Sequence, residues 1–511
     1  AILLTFFATL AATVWLLQTT PKGFFPQEDI GQLQVSTEAR QDISFTAMKQ
    51  AQDEVARVFR ASPHVAHVAS TVGGSSGSAG ALNAGRLFVE LKPQGERPAL
   101  QKVLADLRRD LSRVAGINVF MTPVQNLNIG ARAAKSQYQL VVQGLDQGLM
   151  NDWAVRLADA MGRDRGSFAD VTTDLQNDAL EATLVVDRDK ANQLKIGADV
   201  LRSTLYSGFG VRQVSTIYTA GDSYQVVVEF DPKGGWTPDR LDQIRVRAGN
   251  GTLVPLGAFA HVERRAGQLT VNQLGQLPAV TIAYNLPAGV ALGDSVQRIE
   301  ALKAQIGLPA SLSTTLAGTA KTFQDSLANQ GLLIAGAILT IYIVLGILYE
   351  SFIHPLTILT GLPSAAIGAL GALRLFDLDL SVIAIIGLLM LIGIVKKNAI
   401  MMIDVALVLK REGQSAQDAI HQACVMRFRP ILMTTLAALM GTLPIALGAG
   451  ASAELRQPLG IAVVGGLMIS QVLTLFITPV LFIYMDRLSE GLGRLFSRPR
   501  GEVKPLPAPA E

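Results

Sequence analysis

Residues 380–409 form an almost wholly apolar run that is interrupted by Lys396-Lys397-Asn398. The run exceeds the roughly 20 residues a helix needs to cross a bilayer. An ammonium near the middle of a membrane costs at least about 3 kcal/mol on insertion scales. A charge held there requires a partner or an aqueous path, and by default it marks an ion or proton route. A chain carrying this segment is therefore expected to build a helical membrane bundle with a charge in its interior.

The averages of 49% hydrophobic and 17% charged residues conceal a sharp split. Residues 18–325 hold most of the charge, whereas 326–486 are mostly apolar. Within 326–486 five spans are expected, at about 332–348, 356–373, 380–409, 431–447 and 459–484. Pro363, Pro444, Pro479 and Gly465-Gly466 fall within or near them, as membrane helices tolerate. Residues 1–17 open inside another apolar stretch, without the basic start and small-residue cleavage site of a signal peptide. They are read as a truncated transmembrane helix, so the chain is expected to be a fragment.

Basic residues in short loops orient the bundle. Lys410, Arg411, Arg427 and Arg429 follow the third span, and Arg487, Arg494, Arg498, Arg500 and Lys504 follow the fifth. The alternate loops hold only Arg374 and Arg456. The basic side is cytoplasmic by this rule, which sends residues 18–325 to the other side, the periplasm of a bacterium. Residues 412–426 read as an amphipathic segment on the cytoplasmic surface, and 487–511 as a disordered cytoplasmic tail.

The polar part repeats a strand–helix–strand plan four times. Strands at 32–36 and 64–69 flank a helical face of Met48, Ala51, Val55 and Val58. Strands at 86–91 and 118–121 flank Leu100, Val103, Leu104, Leu107 and Leu111. The third unit runs 138–142, then Trp153, Leu157 and Met161, then 169–172; the fourth runs 280–284, then Val296, Ile299, Leu302 and Ile306, then 312–316. Two such units make a ferredoxin-like sandwich. One subdomain is expected at 28–124 and a second at 135–178 plus 268–318. An insert at 179–267, rich in short strands and turns such as Gly249-Asn250-Gly251, reads as a docking element.

Several function classes drop out. The net charge of +3 and the lack of a basic stripe give no reason for a nucleic-acid partner. Cys424 stands alone, and of the five histidines only His64 and His67 are near one another, so no metal site is indicated. No phosphate-binding G-x-x-x-x-G-K-[ST] pattern occurs. Gly73-Gly74-Ser75-Ser76-Gly77 matches G-x-S-x-G but lacks the strand-to-helix context and a suitable histidine, so no enzyme is expected.

Three phrases carry a resemblance: Lys22-Gly23-Phe24-Phe25-Pro26-Gln27-Glu28-Asp29 after the first apolar stretch, residues 393–404, and Arg427-Phe428-Arg429-Pro430-Ile431-Leu432-Met433-Thr434-Thr435. With paired βαβ units outside and five spans after them, the chain resembles the C-terminal half of a resistance-nodulation-division (RND) multidrug efflux pump of the hydrophobe/amphiphile group. Leu455-Arg456-Gln457-Pro458-Leu459-Gly460 looks most like MdtB/MdtC-type inner-membrane subunits, which form mixed trimers. The resemblance implies a helical transmembrane bundle joined to an α+β periplasmic porter, in a multi-pass protein of the bacterial inner membrane. It implies proton-driven efflux of amphiphilic compounds with no cofactor besides the proton gradient. The implied partners are an N-terminal half bearing membrane aspartates, further subunits of a homo- or heterotrimer, a periplasmic adaptor and an outer-membrane channel.

The resemblance also assigns residues. Lys397, with neighbouring Asn398, matches the lysine of a proton relay, and Thr434 and Arg427 match its threonine and arginine. Asp404 is the carboxylate well inside the five spans; it lies seven residues from Lys397, about 10 Å along the same helical face. Two lysines facing one distant acid are under-compensated, so a counter-charge from elsewhere is expected. Substrate-pathway positions fall on Gly74, Ser75, Ser76 and Gly77 in a glycine-serine loop, and on Phe88 and Tyr138. Aromatics of the familiar drug pumps are replaced here by Ser75 and Gly77, which points to a protomer carrying the proton cycle more than the drug. Two alternatives stand beside this reading: an RND exporter of metal ions or lipids, and a non-transporting structural partner in a mixed trimer.

Overall fold

Apolar residues at the start of the chain fold as α1 (Ile2–Thr19), after which an extended segment leads to β1 (Gln32–Ala39). Every second residue of β1 is buried, from Leu33 to Ala39, so one face of the strand meets a core. The computed structural model describes residues 2–73, 81–127, 135–177, 179–210, 212–231, 238–241, 244–268, 270–287, 289–448, 450 and 452–496.

The first α/β unit continues with α2 (Phe45–Ala61), β2 (Val65–Val72), β3 (Ala84–Leu91), α3 (Leu100–Leu111) and β4 (Ile117–Pro123). Ser44 caps α2 by accepting the Ala47 N–H at 3.2 Å. Met48, Gln52, Val55, Ala56 and Phe59 form the buried stripe of α2, and Leu100, Val103, Leu104, Leu107 and Leu111 that of α3. Both stripes meet one antiparallel sheet in the order β2-β3-β1-β4.

The second unit holds β5 (Tyr138–Gln143), α4 (Gln147–Arg163) and β6 (Ala169–Thr173) before the chain departs through β7 (Ala179–Val186). The excursion comprises α5 (Arg188–Gln193), α6 (Ala198–Phe209), β8 (Arg212–Tyr218), β9 (Ser223–Val228), α7 (Pro238–Leu241), β10 (Arg245–Arg247), β11 (Leu253–Pro255) and β12 (Ala260–Gly267). β12 returns antiparallel to β7, so the insert stands on a two-stranded stem with its own small core around Val246, Leu256 and Phe259. β10 and β11 pair around the turn predicted at residues 249–251, where Gly251 takes the φ of +86° that a side chain would oppose. The host unit then resumes with β13 (Gln273–Leu274), β14 (Leu277–Asn285), α8 (Leu292–Ile306) and β15 (Ser313–Ala317). Its sheet runs β15-β5-β14-β6, with β13 also on β14.

The rest is helical: α9 (Thr319–Tyr349), α10 (Ile353–Leu359), α11 (Leu362–Leu375), α12 (Val382–Arg411), α13 (Ala416–Ala446) and α14 (Ala453–Phe496). Among the described residues, six helical segments are long and apolar enough to cross a membrane, with α10 and α11 counted as one. Their boundaries depart from the sequence reading in four places. α9 starts at Thr319, because its polar first turns continue directly from β15. The expected second span breaks at Thr360-Gly361, just ahead of Pro363. The expected surface segment 412–426 is mostly the first part of α13, which carries Pro430 and Pro444 without ending. α14 runs ten residues past the expected boundary at 486, to Phe496; the remainder of the expected tail lies outside the described residues.

α14 is the hub, packed against α1, α10, α11, α12 and α13. Its contact with α11 depends on missing side chains, as small residues allow in membranes. A Cβ on Gly368 would lie 2.6 Å from the Gly465 carbonyl oxygen. We expect Gly368→Val to lower the thermal midpoint of the detergent-solubilised protein by several degrees while leaving the α/β part folded, as read by protease resistance. In the α/β part, Arg97 is buried and donates to both Asp29 carboxylate oxygens, at 2.8 and 2.5 Å, and to the Lys92 carbonyl at 2.6 Å. Arg97→Ala strands the Asp29 charge and is expected to cost about 3–5 kcal/mol, measured by urea unfolding.

Candidate functional site

Ser381 starts α12 by accepting the Ala384 N–H at 3.2 Å. Along the helix, Gly387 lets α12 approach Leu459 and Ala462, and Leu391 lies on Gly466, so α12 and α14 run together as a dry apolar seam. Midway the seam turns polar. The Asn398 amide donates to Thr435 Oγ1 of α13 at 3.1 Å and to Gln471 Oε1 of α14 at 3.3 Å. Thr435 Oγ1 donates to the same Gln471 oxygen at 2.7 Å. Asn398 and Thr435 are buried, so one interior hydrogen-bond network locks three helices in register.

The two lysines beside Asn398 are arranged oppositely. Lys396 is only 4% exposed, and among the described residues its Nζ has no hydrogen-bond partner. Lys397 is exposed, as is Asp404 seven residues later. Thr434 is half-buried and donates to the Ile431 carbonyl of its own helix at 3.1 Å. Arg427 is half-buried, and among the described residues it forms no ion pair. Asn398 is thus brought together with Thr435 and Gln471 rather than with Thr434 and Arg427. Among the described residues no carboxylate forms an ion pair with either lysine.

The helix ends show how the bundle is sided. Lys410 Nζ bonds both oxygens of buried Asp486 at 2.6 Å, and His354 stacks on Phe482 nearby, so the ends of α12 and α14 and the start of α10 gather at one end. At the other end Leu380 N–H donates to the Pro21 carbonyl at 2.8 Å, and Asn126 Nδ2 donates to Ser452 Oγ at 3.1 Å. The α/β part therefore sits at the end opposite the basic α12–α13 turn.

The candidate pathway residues of the α/β part fare differently. Phe88 is exposed on β3, between Gln34 and Ala69 of its neighbours. Tyr138 is 6% exposed and packs within the second unit's core, 5.7 Å from the Tyr284 ring. Gly74, Ser75, Ser76 and Gly77 lie outside the described residues. A cleft of about 620 Å³ opens between the two α/β units, lined by Glu38, Arg40, Asp42, Asn118, Thr172 and Thr173 among others.

Sequence reasoning did not single out Gln471 or the pairing role of Thr435. The signal for Gln471 was present: it is the lone amide in the apolar run 459–484.

The model of the AcrB/AcrD/AcrF family matches residues 1–486. Multidrug resistance protein MdtC of Cronobacter sakazakii is 45% identical over 483 residues, covering 94% of this chain and 46% of the relative. Two solved structures of a heavy metal efflux pump share the fold, with TM-scores of 0.85 and 0.83 at 23% identity. Each likeness covers 95% of this chain and 51% or 50% of the solved one. The chain spans about half the length of the relatives it matches. With its helical segments, its α/β units and a match from residue 1 to residue 486, the chain belongs to the AcrB/AcrD/AcrF family of RND transporters.

Proposed function

We propose that this chain works within an inner-membrane RND pump that exports amphiphilic compounds in exchange for protons. The observation that carries the proposal is the split between Lys397 and Asn398. Adjacent residues on one helix send an amide into a three-helix network and a cation to the bundle's surface. An ammonium in lipid needs an answering acid, and among the described residues none pairs with Lys397. In the reading the resemblance implies, that acid is a membrane aspartate of an N-terminal half.

When that carboxylate takes a proton, its attraction to Lys397 falls. α12 then shifts, and the Asn398–Thr435–Gln471 network transmits the shift to α13 and α14. Moving one charge through 100 mV supplies about 2.3 kcal/mol, comparable to the energy separating two packed states. Asp404, Thr434 and Arg427 extend the proton path toward the basic, cytoplasmic end. The α/β part lies in the periplasm, where exposed Phe88 and the loop at residues 74–77 contact substrate. The pump is a trimer, working with an adaptor and an outer-membrane channel. Export of metal ions is the second reading; it is favoured by the likeness to heavy metal efflux pumps, which at 23% identity concerns the fold alone.

Lys397→Met is expected to reduce efflux of an amphiphilic dye from cells to background, with normal protein levels on immunoblots. Retained efflux would mean that this chain does not couple the proton gradient. Gln471→Leu removes the acceptor that Asn398 and Thr435 share. It is expected to destabilise the bundle by about 1–3 kcal/mol, seen as a lower thermal midpoint in detergent, and to slow efflux several-fold without abolishing it.

A further inference from the structure

The segment after α1 is stitched to both parts of the molecule. The Lys22 carbonyl accepts the Gly293 N–H at 3.0 Å, from the start of α8. The Pro21 and Phe24 carbonyls accept the Leu380 and Val382 N–H groups at 2.8 and 3.1 Å, from the link between α11 and α12. Phe24 is buried in the core of the second α/β unit, 6.0 Å from the Phe323 ring of α9. Three backbone hydrogen bonds thus close a seam where the α/β part meets the helices.

The Asp379 carboxylate sits in this seam. The Asp379 side chain packs directly on Gly23, where an added Cβ would lie 2.6 Å from Oδ2. The surrounding titratable and charged groups offer it no compensation. α8 contributes Asp294, β5 contributes the buried phenol of Tyr138, and the link itself contributes exposed Asp377. Lys22 is exposed, and Arg374 at the end of α11 is engaged with Thr19 and the Trp15 ring. Among the described residues no cation forms an ion pair with Asp379.

We propose that Asp379 is a proton-binding group that governs this seam, closed when the carboxyl is neutral and loosened when it ionises next to Asp294. Burial first, and then the Asp294 charge, push Asp379 from the ordinary 3.8 up to about 6. A carboxyl whose value is raised in the closed form favours closure in acid. That stabilisation is complete below about pH 4 and is lost as pH rises through about 6. Neither the geometry nor the sign depends on the role proposed for Lys397.

Amide hydrogen exchange on the full chain in detergent tests this directly, because Gly293, Leu380 and Val382 report the three seam bonds. After correction for intrinsic rates, their protection is expected to fall about tenfold between pH 5 and pH 7.5. Asp379→Asn is expected to abolish the fall and keep protection high throughout. Asp294→Asn is expected to reduce the fall, and Asp377→Asn to leave it unchanged. Wild-type protection that does not vary with pH, or an Asp379→Asn variant that still shows the fall, would overturn the proposal. If Asp379→Asn does not fold, an Asp294→Asn variant with an unaltered fall overturns it equally.

Discussion

A charged amine in a hydrocarbon medium must be answered, and α12 carries two of them in succession. One turns into the bundle and finds no acceptor among the described residues, and the other turns out to a surface that none of them covers. Ion pairing in a low dielectric is strong only when geometry and hydrogen bonding both cooperate, and an unpaired partner is costly. The helix tolerates the load because its other buried positions are small or apolar, with Gly387, Ala399 and Ala406 packed tightly in the bundle. The Asn398 network then fixes helix register at the depth where the charges lie. A region that is strained electrostatically and rigid sterically can convert a change in one charge into movement of a whole helix.

Much of this was legible in the sequence, because the relevant signals are local. The alternation in β1 and the leucine stripe of α3 reappear as buried faces, and the Gly249–Gly251 turn joins two short strands as its residues dictate. Helix ends were less legible. Nothing in the local composition says that a polar turn such as residues 319–330 will stay helical once β15 feeds into it, or that Pro430 will be absorbed without a break. The site was legible only in the polar residues of one apolar helix. Lys397, Asn398 and Asp404 stand out against an apolar run, whereas Gln471 acquires meaning only when α14 is laid beside α12. The burial of Tyr138 was equally hidden, since an aromatic at the start of a strand gives no indication of which side of the sheet it occupies.

Two of the attachments between the halves of the molecule differ in kind. α9 is continuous with the second α/β unit, so force along it passes directly into that sheet. The seam at Pro21–Phe24 is different, being made of three hydrogen bonds and one carboxyl packed on a glycine. One attachment is thus covalent and continuous, and the other is made of separable non-covalent contacts.

The insert carries a separate evolutionary implication. Because β7 and β12 leave and re-enter the host side by side over residues 179–186 and 260–267, the cost of closing that loop is met by their own pairing. Everything above the stem can lengthen, shorten or be remodelled while the five-stranded sheet beneath keeps its register. An appendage on such a stem can acquire new neighbours without disturbing the scaffold that bears it.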